Sequence, residues 1–164
     1  MVTGVWLYAQ APGPRGAPTY EAFVGPRHGK FLAELAGTTE EQLRELIAMR
    51  NLLGEYPGPR ASGGKGDAFP KDAGRTAALR ASGFWRVGDK VVFVGRAVAS
   101  AFGCGKRAWF KWTWVTTERG VGVWTAAFPH PSCVSHFWNE PTNVAAARNF
   151  MRLLLVDARR RACK

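Results

Sequence analysis

Acidic residues are scarce in this sequence of 164 residues. Asp and Glu together number 12 against 23 Lys and Arg, which gives a formal net charge of +11. Such an excess favours a polyanionic partner, because basic side chains neutralise phosphates. On charge alone, a basic protein with no role on nucleic acid remains the alternative. We therefore expect a polyanion as the partner and keep that alternative open.

Cysteines and long apolar runs are also few. Cys104, Cys133 and Cys163 are too few and too scattered for a disulfide framework or a four-cysteine cluster, which predicts a reduced, cytoplasmic protein. No apolar stretch is long enough to span a bilayer, so we expect no membrane partner. The opening residues lack the basic region of a signal peptide and predict a short buried strand, Gly4–Tyr8, followed by a turn.

Strand patterns alternate with helix patterns along the chain. Strands are predicted at 4–8, 90–95, 109–115 and 121–130, and helices at 27–37, 38–49, 70–83, 96–103 and from 139 onward. Thr38 and Glu41 have the spacing of a capping box. The alternation predicts one α/β domain over residues 1–164 with a mostly parallel sheet. Ligands of such sheets bind at the carboxyl ends of the strands, where Gln10–Gly16, Asn51–Pro59 and Pro129–Asn139 follow.

One histidine lies between two prolines at the end of a predicted strand. His130 is followed by a segment that carries Val134, Phe137 and Trp138. Two explanations are open for these aromatic residues, since they either pack the last helix onto the sheet or contact a ligand. A glycine-rich stretch, Ala61–Asp67, lacks the Lys-Ser/Thr pair of a P-loop, and we interpret it as a basic loop that touches phosphate.

Four short motifs, in order, resemble those of the uracil-DNA glycosylase superfamily, most closely its small bacterial and archaeal branches. They are "AQAPG" (Ala9–Gly13), "EAFVG" with Phe23, "RNLL" with Asn51, and "HPSCVSHFW" with His130. The stretch "VVFVGRAVASAFG" is similar to the third strand and helix of that family. The resemblance implies a three-layer α/β/α fold around a mostly parallel, four-stranded sheet.

The resemblance also implies roles for single residues. Phe23 stacks on a base that has been flipped out of the duplex, Asn51 reads its edge, and His130 donates a hydrogen bond to the base oxygen on which charge develops. Simpler roles remain open, in the core for Phe23, in a turn for Asn51 and as a cap for His130. The residues expected to contact DNA are Arg15, Lys65, Ser132, Val134, His136, Phe137 and Trp138, and we expect His28 to be a solvated helix residue.

The sequence departs from the family at the first motif. Gln10 occupies the place of an acidic residue, and a neutral amide cannot act as a base, although it can orient a water molecule. Glu55, expected to be solvated, and Asp67 are the acids in nearby loops. The iron–sulfur cysteines of one branch are missing, which predicts no cluster and no cofactor.

The first loop has small side chains. Gly13 replaces a tyrosine that excludes 5-substituted bases in the best-known branch, and Ala9 and Ala11 are small as well. We therefore expect a pocket that tolerates a substituted pyrimidine.

These expectations together predict a monofunctional, monomeric DNA glycosylase. Its substrate would be uracil or a 5-modified pyrimidine, such as hypermodified cytosine in phage DNA, and its product an abasic site. The role would be base-excision repair or defence against phage. Two alternatives remain: a weak or inactive DNA-binding module on the same fold, and a nucleotide-metabolising α/β enzyme unrelated to DNA.

Overall fold

The computed structural model describes residues 4–13, 18–23, 27–59, 68–131 and 136–163. The strands are β1 (Val5–Ala9), β2 (Ala48–Asn51), β3 (Lys90–Val94), β4 (Thr113–Thr116) and β5 (Gly122–Phe128). The helices are α1 (His28–Ala36), α2 (Glu40–Leu46), α3 (Lys71–Ser82), α4 (Arg96–Ala101) and α5 (Pro141–Ala162), with a 3-10 turn over His136–Asn139. None of these helices is both long and apolar enough to cross a bilayer.

The sheet has five strands in the order β2-β1-β3-β5-β4. β2, β1, β3 and β5 are parallel to their neighbours, and β4 is antiparallel to β5. The α/β class is confirmed, but the predicted count of four strands was wrong by one. The strand that the sequence patterns missed is β2, because residues 48 and 49 were assigned to the helix predicted at 38–49. The edge strand β4, predicted at 109–115, joins β5 through a short hairpin closed by the bond from the Thr117 N–H to the Val121 carbonyl, 2.9 Å, so it needs no crossover helix.

The predicted strand over 109–115 is shorter in the structure. β4 covers only Thr113–Thr116, and Trp109 forms a single isolated bridge with Ala127. Phe110 between them has a φ of +62°, which interrupts an extended backbone. Side chains therefore keep alternating in the sequence across a backbone bend, which is why the predicted strand is longer than β4.

Helices cover both faces of the sheet. The side chains of alternate strand residues, such as Leu7, Val92 and Phe128, form one core with α1, α2 and α5. Their neighbours along the strands, such as Tyr8 and Phe93, form the other core with α3 and α4. Successive side chains of these strands thus enter two different cores, as expected for a sheet that is buried on both faces.

The helix boundaries follow local signals except at α2, which begins one residue later than predicted and ends at Leu46, because residues 48 and 49 belong to β2 and not to the helix predicted at 38–49. Gly37 ends α1 in the left-handed region, as the closing glycine predicts. The capping box was predicted one residue too early, because Thr39 is the N-cap of α2 and accepts a hydrogen bond from the Gln42 N–H at 3.3 Å. Thr38 instead donates its hydroxyl to the Gln42 side chain at 2.5 Å.

Candidate active site

The carboxyl ends of the four parallel strands lie along one edge of the sheet. β1 leads into Gln10, β2 ends at Asn51, β3 leads into Gly95, and β5 leads through Pro129 into His130. In the strand register Asn51 is paired with Ala9. The predicted site residues Gln10, Asn51 and His130 are therefore all placed at this edge.

Asn51 is held by the backbone of the segment before α1. It is 4% exposed, and its amide nitrogen donates to the carbonyl oxygens of Thr19 at 3.1 Å and Glu21 at 2.8 Å. Both donor hydrogens are thus used inside the protein, which matches the structural role that the sequence left open. Among the described residues no hydrogen bond to its Oδ1 atom is found, and this atom is an acceptor.

Gln10 is held in a similar way. Its amide nitrogen donates to the carbonyl oxygen of Ala68 at 2.8 Å, and its own carbonyl accepts from the Leu53 N–H at 2.9 Å. The Oε1 atom is the part of the side chain that this bond leaves for a water molecule. Glu55 is exposed, as expected.

The first loop leaves space around Gly13. Gly13 is exposed, and a Cβ atom at this position would meet no other atom within 4 Å. Ala11 beside it is half-buried. A small residue at position 13 is therefore not required by packing within the described part of the chain.

Phe23 has an unusual backbone conformation that α2 stabilises. Its φ is +59°, a region that bulky residues rarely adopt. Arg44 donates to the Phe23 carbonyl at 2.8 Å and to the Ala22 carbonyl at 3.1 Å, and it forms an ion pair with Glu40 at 2.7 Å. This clamp, which sequence patterns do not reveal, fixes the backbone of Phe23. The Phe23 side chain is only 8% exposed and belongs to the core beside α1, α2 and α5, which matches the core role that the sequence left open.

His130 is fixed from two sides. The indole N–H of Trp138 donates to the His130 carbonyl at 2.8 Å. On the other side, the position of a Cβ on Gly95 would be 3.7 Å from the His130 Cβ. Gly95 has a φ of +90° and donates its N–H to the Phe128 carbonyl at 2.8 Å, so the backbone turns sharply here.

His28 lies between Phe23 and His130, although it was expected to be solvated. Its ring is edge-on to both, with centroid distances of 6.4 Å to Phe23 and 5.6 Å to His130. Burial and the nearby positive charge of Arg27 lower the pKa of His28 below its usual value. In the sequence, His28 is recognisable only as a histidine five residues after Phe23. Its contacts with Phe23 and His130 become visible only from the packing of α1.

Trp138 is packed against the protein. Its ring contacts Phe31 and Phe128, with centroid distances of 4.9 and 5.9 Å, and its N–H is bound to the His130 carbonyl. These contacts support the packing role that the sequence left open. Trp138 therefore supports the backbone of His130 from within the protein.

Phe137 belongs to an aromatic cluster beside Trp138. Its ring lies 5.1 Å from Trp138, 5.9 Å from Phe110 and 6.3 Å from Trp109. It is half-buried, whereas the neighbouring His136 is exposed. Of the apolar residues expected to enter DNA, Phe137 and Trp138 thus both have partners within the protein.

Several predicted site residues lie outside the described residues. They are Arg15, Lys65, Asp67, Ser132 and Val134. Their expected contacts with phosphate, base or water remain predictions.

A cavity of about 340 Å³ lies away from the strand ends, between α3, the end of α4 and β4. Its lining includes Trp85, Phe93, Phe102 and Cys104, and none of the predicted site residues that the structure describes. Burial raises the pKa of the Cys104 thiol, which disfavours the reactive thiolate. The chemistry predicted from the sequence therefore does not belong to this cavity.

Within the described ranges, no group of three or more His, Cys, Asp or Glu side chains is arranged to hold a metal ion. Comparison of the chain with protein-family models finds no match, and comparison with curated proteins finds none either.

Proposed function

We propose that the protein is a monofunctional DNA glycosylase that removes a flipped pyrimidine and leaves an abasic site. The single observation that carries the proposal is the position of His130. It follows a buried parallel strand, its carbonyl is bound by Trp138, and its ring is in the same aromatic group as Phe23. An imidazole held in this way is pre-organised to stabilise a charge that develops on a bound base.

The chemical step breaks the bond between the sugar and the base. Electrons of that bond pass to the base, and His130 donates a hydrogen bond to the base oxygen that becomes negative. Removal of one such donor typically costs about 10²–10³ in rate. Phe23, held by the Arg44 clamp, would stack on the base and fix its plane.

Water attacks the sugar after, or as, the base departs. Gln10 would orient this water through Oε1, since its nitrogen is bound to Ala68. The amide cannot take a proton from the water, so that proton passes to the departed base anion or to bulk water, and the rate depends mainly on stabilising the leaving base. Asn51 would accept a hydrogen bond from the base through Oδ1, because its two donors are used by Thr19 and Glu21.

Binding of DNA would use the positive charge of the chain. With a net charge of +11, we expect several phosphate contacts and a steep loss of affinity as salt rises. Since Phe137 and Trp138 are packed, Val134 is the remaining candidate for the residue that fills the gap left by the flipped base. We propose that the protein acts as a monomer, in the cytoplasm, in repair or in defence against phage DNA.

The test is a panel of labelled duplex and single-stranded oligonucleotides. They carry uracil, 5-hydroxymethyluracil, thymine mismatches or 5-modified cytosines, with phage DNA containing hypermodified cytosine alongside. Abasic sites are scored after alkali treatment, and His130→Ala is the matched inactive variant. Release of one base by the wild type, reduced about a hundredfold or more in His130→Ala, is the expected result.

The second candidate function is binding without catalysis, which Gln10 favours because it replaces a carboxylate. Tight, salt-sensitive binding of DNA with no base release from any substrate would establish this function in place of the first. Weak binding that does not depend on salt would contradict both and favour an enzyme that acts on free nucleotides.

A further inference from the structure

His28 lies beside two residues of the proposed base site, Phe23 and His130. It begins α1, and its ring lies edge-on to Phe23 and to His130, at 6.4 and 5.6 Å between centroids. A base stacked on Phe23 and hydrogen-bonded to His130 must lie beside both rings. The half-buried imidazole of His28 is the polar side chain between them.

The surroundings of His28 favour a neutral ring. Burial and the charge of Arg27 lower its pKa, and the second imidazole, His130, is its neighbour on the β5 side. On the α2 side, the Glu40–Arg44 ion pair lies beside Gly29, the next residue in the chain. At neutral pH the imidazole therefore carries one N–H donor and one acceptor nitrogen.

A donor of this kind fills a gap in the site. A pyrimidine edge that offers an N–H group and two acceptors needs one acceptor and two donors from the protein. Asn51 contributes only an acceptor, because both its hydrogens are bound to backbone carbonyls. His130 is the first donor, and the second donor has to come from another side chain near Phe23.

We propose that His28 is a base-contacting residue that donates its N–H to the exocyclic group at the 4-position of the flipped pyrimidine. It sets the preference of the enzyme between a keto and an amino group at that position. The inference rests on the proposed glycosylase function. In this proposal His28 supplies the second hydrogen-bond donor to the base, which Asn51 cannot supply because both its hydrogens are bound to backbone carbonyls.

The test compares His28→Phe, which keeps an aromatic ring between Phe23 and His130, with His28→Gln, which keeps a donor. Glu34→Gln, on the exposed side of α1, is the control. Single-turnover rates are measured on oligonucleotides that differ only at the 4-position, 5-hydroxymethyluracil against 5-hydroxymethylcytosine. We expect His28→Phe to lower the rate on the preferred substrate by about ten- to a hundredfold, with a smaller loss in His28→Gln.

The pH dependence of this preference separates contact from packing. Below its pKa the imidazole has two donors and no acceptor, so the keto-to-amino rate ratio should rise between pH 7.5 and 5.5. His28→Phe should reduce or remove this rise, and Glu34→Gln should keep it. A ratio in His28→Phe that follows the wild type at every pH would overturn the role of His28 while leaving the glycosylase proposal intact.

A binding measurement covers the case in which the wild type releases no base. The chain has three histidines, so the ring signals in ¹H–¹⁵N spectra can be assigned with single variants. Free uracil and free cytosine are then titrated into the labelled protein. Shifts of the His28 ring signals support the contact even if the glycosylase proposal fails, and ring signals that neither base shifts overturn it.

Discussion

Asn51 and Gln10 are amide side chains at strand ends, and both hold neighbouring backbone segments through hydrogen bonds. The side-chain N–H groups of Asn51 hold the carbonyls of Thr19 and Glu21 in the segment before α1. The side-chain N–H of Gln10 holds the carbonyl of Ala68, shortly before α3. Within the part of the chain that the structure describes, neither side-chain oxygen accepts a hydrogen bond. Substitutions at these positions therefore report on stability as well as on activity.

We predict that Asn51→Asp destabilises the fold more than Asn51→Ala. A carboxylate would face the carbonyl oxygens of Thr19 and Glu21, whereas alanine only leaves them without a donor. Asn51→Ala should lower the free energy of unfolding by about 1–3 kcal/mol, measured by urea denaturation. Unchanged stability of both variants would contradict the structural role and leave Asn51 as a base reader alone.

The position of His130 was predictable from local signals, and those of Asn51 and His28 were not. Proline on both sides of His130 and the strand pattern before it place His130 at a strand end, whereas the residues just before Asn51 were predicted as the end of a helix. The contact between His28 and His130 depends on how α1 packs beside the end of β5, which no local pattern encodes. Phe137 and Trp138 were ambiguous for the same reason, since an apolar side chain after a strand fits both a core and a ligand contact.

At the scale of elements, α2 controls the backbone at Phe23. We predict that Arg44→Gln loosens the segment 18–23, because the carbonyls of Ala22 and Phe23 lose a charged donor. Stability should fall by about 1–3 kcal/mol, and amide exchange in that segment should accelerate. Hydrogen-exchange mass spectrometry is the measurement, and Glu45→Gln, exposed on the same helix, is the control. Equal exchange in both variants would rule out the clamp.

The junction of β3 and α4 gives a second prediction at this scale. Gly95→Ala should cost about 1–3 kcal/mol, because a side chain is strained at a φ of +90° and a ψ of 153°. Gly120→Ala, at a φ of +77° in the β4–β5 turn, carries a similar backbone penalty away from His130. Thermal unfolding measures the stability of both variants. We expect only Gly95→Ala to reduce glycosylase activity as well, and equal activities would show that the junction does not position His130.

Elements with regular patterns were predicted well, and those set by pairing were not. The closing glycine of α1 and the proline at the start of α5 mark the ends of those helices. The bounds of the antiparallel edge strand β4 were predicted wrongly, because the bend at Phe110 does not interrupt the alternation of side chains in the sequence. Its pairing with β5 depends on a hairpin, and hairpin register is a property of two segments together.

At the scale of the whole molecule, the second core has a titratable group at its centre. Tyr8 is 3% exposed, its hydroxyl accepts a hydrogen bond from the Trp85 indole at 3.3 Å, and burial raises its pKa to about 12. The unfolded chain ionises near pH 10, and the folded protein resists ionisation until about pH 12. The stability that Tyr8 contributes is thus intact below pH 10 and is lost as pH rises to 12.

We predict that Tyr8→Phe reduces the loss of folding free energy between pH 10 and pH 12 by about 2–3 kcal/mol. The free energy of unfolding, measured in urea at pH 9, 10, 11 and 12, should fall less steeply in the variant. Tyr20→Phe, at a side chain that is 66% exposed, is the control and should keep the wild-type dependence. Identical slopes in all three proteins would show that Tyr8 is ionised as readily in the fold as out of it.

The bond from Trp138 to the His130 carbonyl has a consequence for how this protein can change. It holds the backbone at His130 from a residue eight positions further along the chain. In the proposed glycosylase, substitutions between these two residues would change contacts with DNA while this bond continues to hold the backbone at His130. A lineage exposed to new forms of modified DNA could then vary those positions and keep its chemistry.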